Sequence, residues 1–303
     1  MNYRELIAQL SAQVGAGEAR AIVRLVMEER FGLSLTDLLL GKDTTLSADD
    51  RAEFEKIATR LLSGEPVQYI LGFTDFCRHR FRVTPAVLIP RPETEELVQW
   101  AIAINNHYST ISILDLCTGS GCIATSLALA YPEAHVVAVD ISEEALVVAR
   151  ENAATLGVQN IEFIRQDILS YAPIPSSSTL PLQPIALGSQ PPTLNSRLST
   201  SGFHLLTANP PYVRASEARD MTRTVLDYEP HMALFVPDED PLLFYRAIAH
   251  IALHYLSPGG HLLLEINCAF AEEVRQLLTA CSFRDIEIRD DQFGRPRMIH
   301  ALH

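Results

Sequence analysis

Apolar residues in the first 72 positions recur at helical spacing. Leu6, Leu10 and Val14 lie four residues apart, and Leu25 with Val26 continues the same kind of stripe further along the chain. Such spacing places apolar side chains on one face of a helix. Glycine and polar clusters interrupt the pattern at residues 15–17, 32, 41–47 and 63–64. Residues 1–72 are therefore predicted to form a small N-terminal bundle of four or five short helices.

The pattern changes after residue 72. Residues 73–92 contain short extended pieces broken by Pro85, Pro90 and Pro92, which predicts a hairpin-like linker. Beyond the linker, apolar strand-like runs alternate with helical stretches. The predicted strands are residues 111–116, 135–139, 161–165, 203–208, 261–266, 283–289 and 297–302. The predicted helices are residues 93–104, 122–130, 143–156, 241–256 and 270–280.

This alternation predicts a mainly parallel sheet with right-handed crossovers. The last two predicted strands are separated only by a short turn that holds Gly294 and Pro296, and a connection that short forces an antiparallel pair. A parallel sheet that ends with one antiparallel strand is the layout of class I S-adenosylmethionine-dependent methyltransferases. Residues 93–303 are therefore predicted to form an α/β domain with a seven-stranded Rossmann-like sheet whose last strand is antiparallel.

Residues 172–202 interrupt the alternation. They carry six prolines and many serines, and Arg197 is their one charged residue. A segment of this composition buries too little apolar surface to offset its ordering entropy, which is about 1–2 kcal/mol per residue. The sequence therefore predicts a disordered insertion.

Removal of this insertion is expected to leave the fold intact. Loop-closure entropy grows only with the logarithm of loop length, so a short Gly/Ser linker in place of Pro175 to Ser199 should hardly change the melting temperature or the turnover. Thermal unfolding and activity of the deletion variant, compared with the full chain, test this prediction. Loss of activity without loss of fold would instead show that the segment belongs to the functional site.

Composition narrows the class of protein. Of the 303 residues, 48% are hydrophobic and 20% are charged, and Arg4 and Glu5 interrupt the N-terminal stretch where a signal peptide needs an apolar core. The five cysteines include no C-x-x-C pair, so neither a disulfide framework nor a zinc ribbon is indicated. The net charge of −13 and the lack of a basic run argue against direct nucleic-acid binding. We expect a cytoplasmic monomer that binds neither metal nor membrane.

The most distinctive polar stretch is Asn209-Pro210-Pro211-Tyr212, which follows the apolar strand 203–208. In open α/β sheets, ligands bind outside the carboxyl ends of the strands. The Asn209 side-chain oxygen and the Pro210 carbonyl are two acceptors that could hold a planar –NH2 group, and Tyr212 could stack on it. Asn209, Pro210 and Tyr212 are therefore candidate catalytic residues, and all four residues are candidate substrate-binding residues. An ordinary turn is the alternative interpretation.

A glycine-rich loop follows the first strand of this domain. The loop runs from Asp115 to Gly121 and opens a helix, where free N–H groups and missing side chains suit a bound ligand. Asp140 ends the second strand and could contact a ribose diol, and Asp167 comes just after the third strand and could contact an adenine amine. The candidate cofactor-binding residues are Cys117, Thr118, Gly119, Ser120, Gly121, Asp140, Asp167 and Asn209.

The loop alone does not select the cofactor. Gly119-x-Gly121-x-x-Ala124 also satisfies the dinucleotide fingerprint, so a dehydrogenase or a non-catalytic nucleotide-binding module stays open. The Asn-Pro-Pro-Tyr loop and the antiparallel C-terminal pair favour S-adenosylmethionine.

The chain resembles a known family over nearly its whole length. The matching segments are residues 64–70, 88–95, 115–121, 209–212, 228–230, 233–235 and 244–245. Together they resemble the release factor glutamine methyltransferases, the HemK/PrmC family of protein-(glutamine-N5) methyltransferases. The resemblance implies methyl transfer from S-adenosylmethionine, with S-adenosylhomocysteine as product, to the side-chain amide nitrogen of the glutamine in the Gly-Gly-Gln motif of class I peptide chain release factors. It also implies that domain 1–72 helps to recognise this protein substrate.

Two related activities remain as alternatives. One is methylation of a glutamine in a ribosomal protein, although residues 91–95 resemble the release-factor branch better. The other is methylation of an exocyclic amine in DNA. The chain departs from the family pattern at Cys117 and Asn267, where glycine is usual, and Asn tolerates a positive φ better than most residues. Glu265, inside an apolar strand, has no assigned role.

Overall fold

The computed structural model describes residues 1–104, 111–171 and 202–303. The insertion predicted over residues 172–202 lies outside this part of the chain, apart from Gly202, and so does the whole of Pro175 to Ser199. The chain divides into two compact units. One unit comprises Met1–Phe73, Val83–Pro85 and Met221–Glu229, and the other comprises Thr74–Arg82, Ala86–Asp220 and Pro230–His303.

The α-helices and strands of the described residues are numbered in chain order. The helices are α1 (Tyr3–Val14), α2 (Ala16–Phe31), α3 (Leu35–Leu39), α4 (Ala48–Leu62), α5 (Val67–Leu71), α6 (Pro92–Ile104), α7 (Cys122–Ala130), α8 (Glu143–Thr155), α9 (Arg223–Tyr228), α10 (Leu243–Tyr255) and α11 (Ala271–Ala280). The strands are β1 (Phe73–Phe76), β2 (His79–Arg82), β3 (Ser112–Leu116), β4 (His135–Asp140), β5 (Ile161–Arg165), β6 (Phe203–Ala208), β7 (Val213–Arg214), β8 (Phe235–Val236), β9 (Leu256–Glu265), β10 (Arg284–Asp290) and β11 (Pro296–Leu302).

Helices α1 to α5 confirm the predicted N-terminal helical bundle. Asn2 and Glu5 form a capping box at the start of α1, and Gly32 ends α2 in the left-handed conformation, as the glycine break predicted. The predicted apolar stripes face inward, so that Leu6 and Val26 are fully buried in one cluster with α4 and α5. Apolar burial of this kind is what holds short helices together in water.

The second unit contains a seven-stranded sheet in the order β10-β11-β9-β6-β3-β4-β5. Neighbouring strands from β9 to β5 are parallel, and β11 is antiparallel to both β9 and β10. Alternate residues of the central strands face opposite layers: Leu114 and Val137 pack with α10 and α11, whereas Ile113 and Val136 pack with α6 and α7. The predicted fold class is confirmed.

One strand begins earlier than predicted. Strand β9 starts at Leu256 instead of His261, because Ser257 to Gly260 continue the strand through an irregularity in its pairing with β6. A Cβ at Gly260 would lie 2.9 Å from the Ser257 carbonyl oxygen and 3.1 Å from that of Phe203. Only glycine fits such a close approach of backbones at residue 260, and the Pro258-Gly259-Gly260 run belongs to the strand although its composition indicates a turn.

A histidine pair in the sheet is expected to make the stability depend on pH. Nδ1 of His261 and Nε2 of His300 lie 2.9 Å apart, and the Trp100 ring packs edge-on against His300. Burial, and then the neighbouring His261, lower the pKa of His300 to about 4. In the unfolded chain the same imidazole takes up a proton near its ordinary pKa of about 6.5, while the folded one stays neutral.

We therefore predict that the free energy of unfolding falls as the pH drops from about 6.5 towards 4, by about 1–2 kcal/mol at pH 5 for His300. Urea unfolding at pH 7 and pH 5 measures this loss. The loss should be smaller in His300→Gln, which has no proton to take up. Equal losses in the two proteins would contradict the prediction.

Candidate active site

A cavity of about 280 Å³ lies at the carboxyl ends of the parallel strands. Of the residues that the sequence singled out, the structure brings eight into its wall: Cys117, Thr118, Gly119, Ser120, Asp140, Asp167, Asn209 and Pro211. Gly121, Pro210 and Tyr212 do not line the cavity. The strand-end positions of these residues explain why they meet, because the carboxyl ends of β3 to β6 share one edge of the sheet.

A buried carboxylate ties the glycine-rich loop to the sheet. Asp115 in β3 accepts a hydrogen bond from Thr118 Oγ1 at 2.6 Å and one from Thr207 Oγ1 of β6 at 2.7 Å. Burial raises the pKa of Asp115 to about 7, although the two hydroxyl donors oppose this shift. Asp115 therefore fixes Thr118, and with it the start of the loop, to two neighbouring strands.

The two loop glycines serve different purposes. A Cβ built on Gly119 meets no atom within 4 Å, so the backbone there borders open space. A Cβ on Gly121 would lie 2.9 Å from the Ala149 Cβ of α8, and the Gly121 N–H donates to Thr118 O at 2.8 Å. Gly121 therefore allows α7 and α8 to pack closely, and the structure gives it no place in the cavity wall.

Cys117 has a φ of 58°, in the left-handed region. That conformation favours glycine, which accounts for the glycine at this position in the family pattern. Burial raises the pKa of the Cys117 thiol well above its ordinary value, and Asp140, Asp115 and Asp167 add to the effect. The thiol is therefore neutral, as expected for a small side chain in a wall of carboxylates.

The two strand-end acids are held by backbone amides. Asp140 accepts hydrogen bonds from Gly119 N at 2.8 Å and Ser142 N at 2.9 Å, and Asp167 accepts from Leu169 N at 2.9 Å. Burial raises the pKa of Asp140, and the backbone donors oppose this. A carboxylate offers about four acceptor positions. Both acids therefore keep capacity for a ligand while their orientation is set by the loops.

Asn209 follows β6 and is half-buried in the cavity wall. Its Nδ2 donates to Thr94 Oγ1 at 3.3 Å. Among the described residues, no group donates a hydrogen bond to Asn209 Oδ1 or to the Pro210 carbonyl. Asn209 Oδ1 therefore has no hydrogen-bond donor in the described part of the chain. Pro210 is buried and does not line the cavity, so the use of its carbonyl as a second acceptor stays a prediction.

Tyr212 is anchored away from the cavity. Its hydroxyl donates to Glu265 Oε1 at 2.8 Å and accepts from Arg297 Nη1 at 3.4 Å, while its carbonyl accepts from Asn267 Nδ2 at 3.0 Å. Burial, and then the Glu265 charge, raise the pKa of Tyr212 well above its ordinary value. The predicted stacking of Tyr212 on a planar substrate group stays a prediction.

Asn267 corrects an expectation of the sequence. Its φ is −69°, so its tolerance of positive φ is not what matters at this position. The side chain instead donates to Tyr212 O and Glu217 Oε2 and accepts from Ala269 N. Asn267 therefore stabilises the Asn-Pro-Pro-Tyr loop through the hydrogen bond to the Tyr212 carbonyl. Its sequence neighbours did not indicate this role.

Within the described ranges, no helix is long and apolar enough to cross a membrane. In the same part of the chain, no three His, Cys, Asp or Glu side chains are grouped so that they could hold a metal ion.

Family models match both parts of the chain. Residues 3–72 match the PrmC N-terminal domain, and residues 107–178 match a methyltransferase domain. Among solved structures, the catalytic domain of hMettl16 in complex with an RNA hairpin is similar with a TM-score of 0.50 and 15% identity, covering 73% of this chain and 74% of that one. At this identity the likeness concerns the fold alone.

Curated relatives are similar over almost the entire chain. A release factor glutamine methyltransferase of Bacteroides thetaiotaomicron is 41% identical over 94% of this chain and 92% of its own length. One of Flavobacterium psychrophilum is 38% identical over 98% of this chain and 97% of its own length. The predicted class of enzyme and its methyl donor, S-adenosylmethionine, are thereby confirmed, and the dehydrogenase alternative is set aside. The chain belongs to the release factor glutamine methyltransferase family.

Proposed function

We propose that this enzyme methylates the side-chain amide nitrogen, N5, of the glutamine in the Gly-Gly-Gln motif of class I peptide chain release factors in the cytoplasm. The observation that carries the proposal is Asn209 in the cavity wall, whose Oδ1 has no hydrogen-bond donor among the described residues. A neutral acceptor suits an uncharged amide –NH2 group. The names of the relatives support the same substrate.

The cavity residues fit the methyl donor. Gly119 borders open space, and the amide-held carboxylates of Asp140 and Asp167 keep acceptor capacity for hydroxyl and amino groups. We assign Thr118 to Ser120, Asp140 and Asp167 to the nucleoside. When bound, S-adenosylmethionine supplies an electrophilic methyl group on a positively charged sulfur.

Asn209 orients the nucleophile. The lone pair of an amide nitrogen is delocalised into its carbonyl, so the nitrogen attacks poorly unless its hydrogens are held. In our proposal, Asn209 Oδ1 accepts one N–H of the substrate glutamine and the Pro210 carbonyl accepts the other. These acceptors are most favourable when positive charge grows on the nitrogen, so they stabilise the transition state more than the ground state. One of the held hydrogens is then lost as a proton to water.

Methyl-transfer assays on candidate substrates test the function. Purified enzyme, S-adenosylmethionine and a purified class I release factor should give one added methyl group on the Gly-Gly-Gln peptide, located by mass spectrometry. A release factor with Gly-Gly-Ala is the matched control and should stay unmodified. Methylation of a ribosomal-protein glutamine or of DNA, with no product on the release factor, would contradict the proposal.

The helical unit formed mainly by Met1–Phe73 is proposed to hold the release factor. On and just after α3, three leucines are solvent-exposed: Leu35 by 47%, Leu39 by 68% and Leu40 by 72%. Exposed apolar side chains in a cluster are typical of protein contact sites.

We predict that Leu39→Ser with Leu40→Ser raises KM for the release factor severalfold, because two apolar contacts are lost, while kcat at saturation changes little. The control is Val147→Ser, which alters an exposed apolar residue of α8. Steady-state kinetics with intact release factor measure both constants. An unchanged KM in the double variant would remove this surface from the proposed interface.

A further inference from the structure

Glu265 is a carboxylate at the end of an otherwise apolar strand. It is 2% exposed and lies in β9, where Leu262 to Leu264 belong to the core. An isolated buried charge is costly, so Glu265 needs partners that stabilise its carboxylate. Burial raises the pKa of Glu265, and hydrogen bonds from Thr94 and Tyr212 oppose this.

Both carboxylate oxygens are engaged by hydroxyl groups. Thr94 Oγ1 of α6 donates to Glu265 Oε2 at 2.6 Å, and Tyr212 Oη donates to Glu265 Oε1 at 2.8 Å. Arg297 in β11 lies beside Tyr212, with its Nη1 3.4 Å from the phenol oxygen and its Nε 3.4 Å from Asp291. Both hydroxyls donate to the carboxyl group, whose ionised form has only acceptor positions.

The direction of the Thr94 hydrogen bond determines the direction of the next one. A threonine hydroxyl has a single hydrogen. Because Thr94 gives that hydrogen to Glu265, its oxygen presents only lone pairs to Asn209, 3.3 Å away. The Asn209 carboxamide must therefore turn its –NH2 group to Thr94, and its Oδ1 faces the other way.

We propose that Glu265, acting through Thr94, is a positioning residue that keeps the acceptor oxygen of Asn209, and not its donor nitrogen, available to the substrate amide. The catalytic consequence rests on the proposed function above. A flipped Asn209 would present N–H groups to the N–H groups of the glutamine, and the nucleophile would be repelled. The same carboxylate also holds Tyr212, so one side chain fixes both ends of the Asn-Pro-Pro-Tyr loop.

Three variants separate this role from packing. Glu265→Gln keeps the shape but offers an N–H to Thr94 or Tyr212, so the Thr94 hydrogen can turn to Asn209. Thr94→Val keeps the shape and removes the hydroxyl, whereas Thr94→Ser keeps the hydroxyl. We expect kcat on the release factor to fall roughly ten- to hundredfold in Glu265→Gln and Thr94→Val, with KM and cofactor affinity within about twofold of wild type.

Thr94→Ser, which keeps the hydroxyl, should retain most of the kcat that Thr94→Val loses. Thr279→Val, at an exposed threonine of α11, is the matched control and should behave as wild type. In an Asn209→Ala background, Thr94→Val should cost little more, because the group it positions is gone. Full turnover in both Glu265→Gln and Thr94→Val, or a loss of equal size in the presence and absence of Asn209, would overturn the proposal.

A measurement without turnover keeps this inference separate from the proposed substrate. In protein labelled with ¹⁵N-asparagine, the side-chain amide pair of Asn209 is identified by its absence in Asn209→Asp. We expect its N–H hydrogens to exchange slowly in the wild type, faster in Thr94→Val, and with a changed chemical shift in Glu265→Gln. An Asn209 amide pair that is the same in all three proteins refutes the positioning role. A wild-type enzyme inactive on release factors, with the expected NMR changes, refutes only the substrate.

Discussion

Replacing Asn209 with alanine is expected to lower kcat for methyl transfer by roughly two orders of magnitude, the scale of losing one preorganised polar contact in a transition state. The reason lies in the geometry of the loop. In our proposal, Asn209 Oδ1 is the acceptor for an amide N–H of the substrate, and Thr94 sets the orientation of the Asn209 carboxamide. Alanine removes the acceptor and leaves the proline-fixed backbone in place.

Single-turnover kinetics with saturating cofactor and release factor measure this effect directly. Cofactor affinity by calorimetry should fall much less than the rate. Gln276→Ala, which removes an exposed carboxamide from α11, is the matched control and should have wild-type turnover. If Asn209→Ala keeps the wild-type rate, the loop has only a structural role.

The elements of the sheet could be predicted because their signals are local. Strand β4 is a continuous apolar run that is buried on both faces, and α8 begins at a serine cap, so both bounds are visible in the sequence. The predicted start of β9, at His261, was wrong for a physical reason. Proline and glycine in Ser257 to Gly260 indicate a turn, whereas the pairing that keeps this segment in the strand depends on β6, which is far away in the chain.

The residues of the site also differ in whether they could be predicted from the sequence. Asp140 and Asn209 end predicted strands, and topology alone places such ends at one edge of the sheet. Thr94 and Glu265 are 171 residues apart, and no local pattern pairs them. The one available signal was the presence of a carboxylate in an apolar strand, which was unusual but indicated neither a role nor a partner.

The spacing of the glycines in the sequence could not predict their different roles. The fingerprint treats Gly119 and Gly121 alike, yet one borders the cavity and the other makes room for Ala149. Both have positive φ, at 55° and 75°. Which of them a ligand approaches is decided by the position of α8, a tertiary contact that sequence periodicity does not contain.

Replacing Asp140 with alanine is expected to weaken binding of S-adenosylmethionine tenfold or more. Two hydrogen bonds from a ribose diol to a carboxylate are charge-assisted, and each contributes about 1.5–3 kcal/mol. Calorimetry with S-adenosylhomocysteine measures the change. Glu133→Ala, which alters an exposed carboxylate just before β4, at the far end of the strand from Asp140, should bind as wild type. Unchanged affinity in Asp140→Ala would rule out the assignment.

The structure adds a second way in which this substitution can act, and the two must be separated. Asp140 also accepts hydrogen bonds from Gly119 N and Ser142 N, so alanine is expected to loosen the glycine-rich loop as well as to remove the proposed ribose contact. Comparing S-adenosylhomocysteine with its 2′-deoxy analogue isolates the contact. The wild type should lose affinity for the analogue, whereas Asp140→Ala should bind both ligands alike. If the variant still discriminates between them by the wild-type factor, Asp140 acts through the loop and another group holds the ribose.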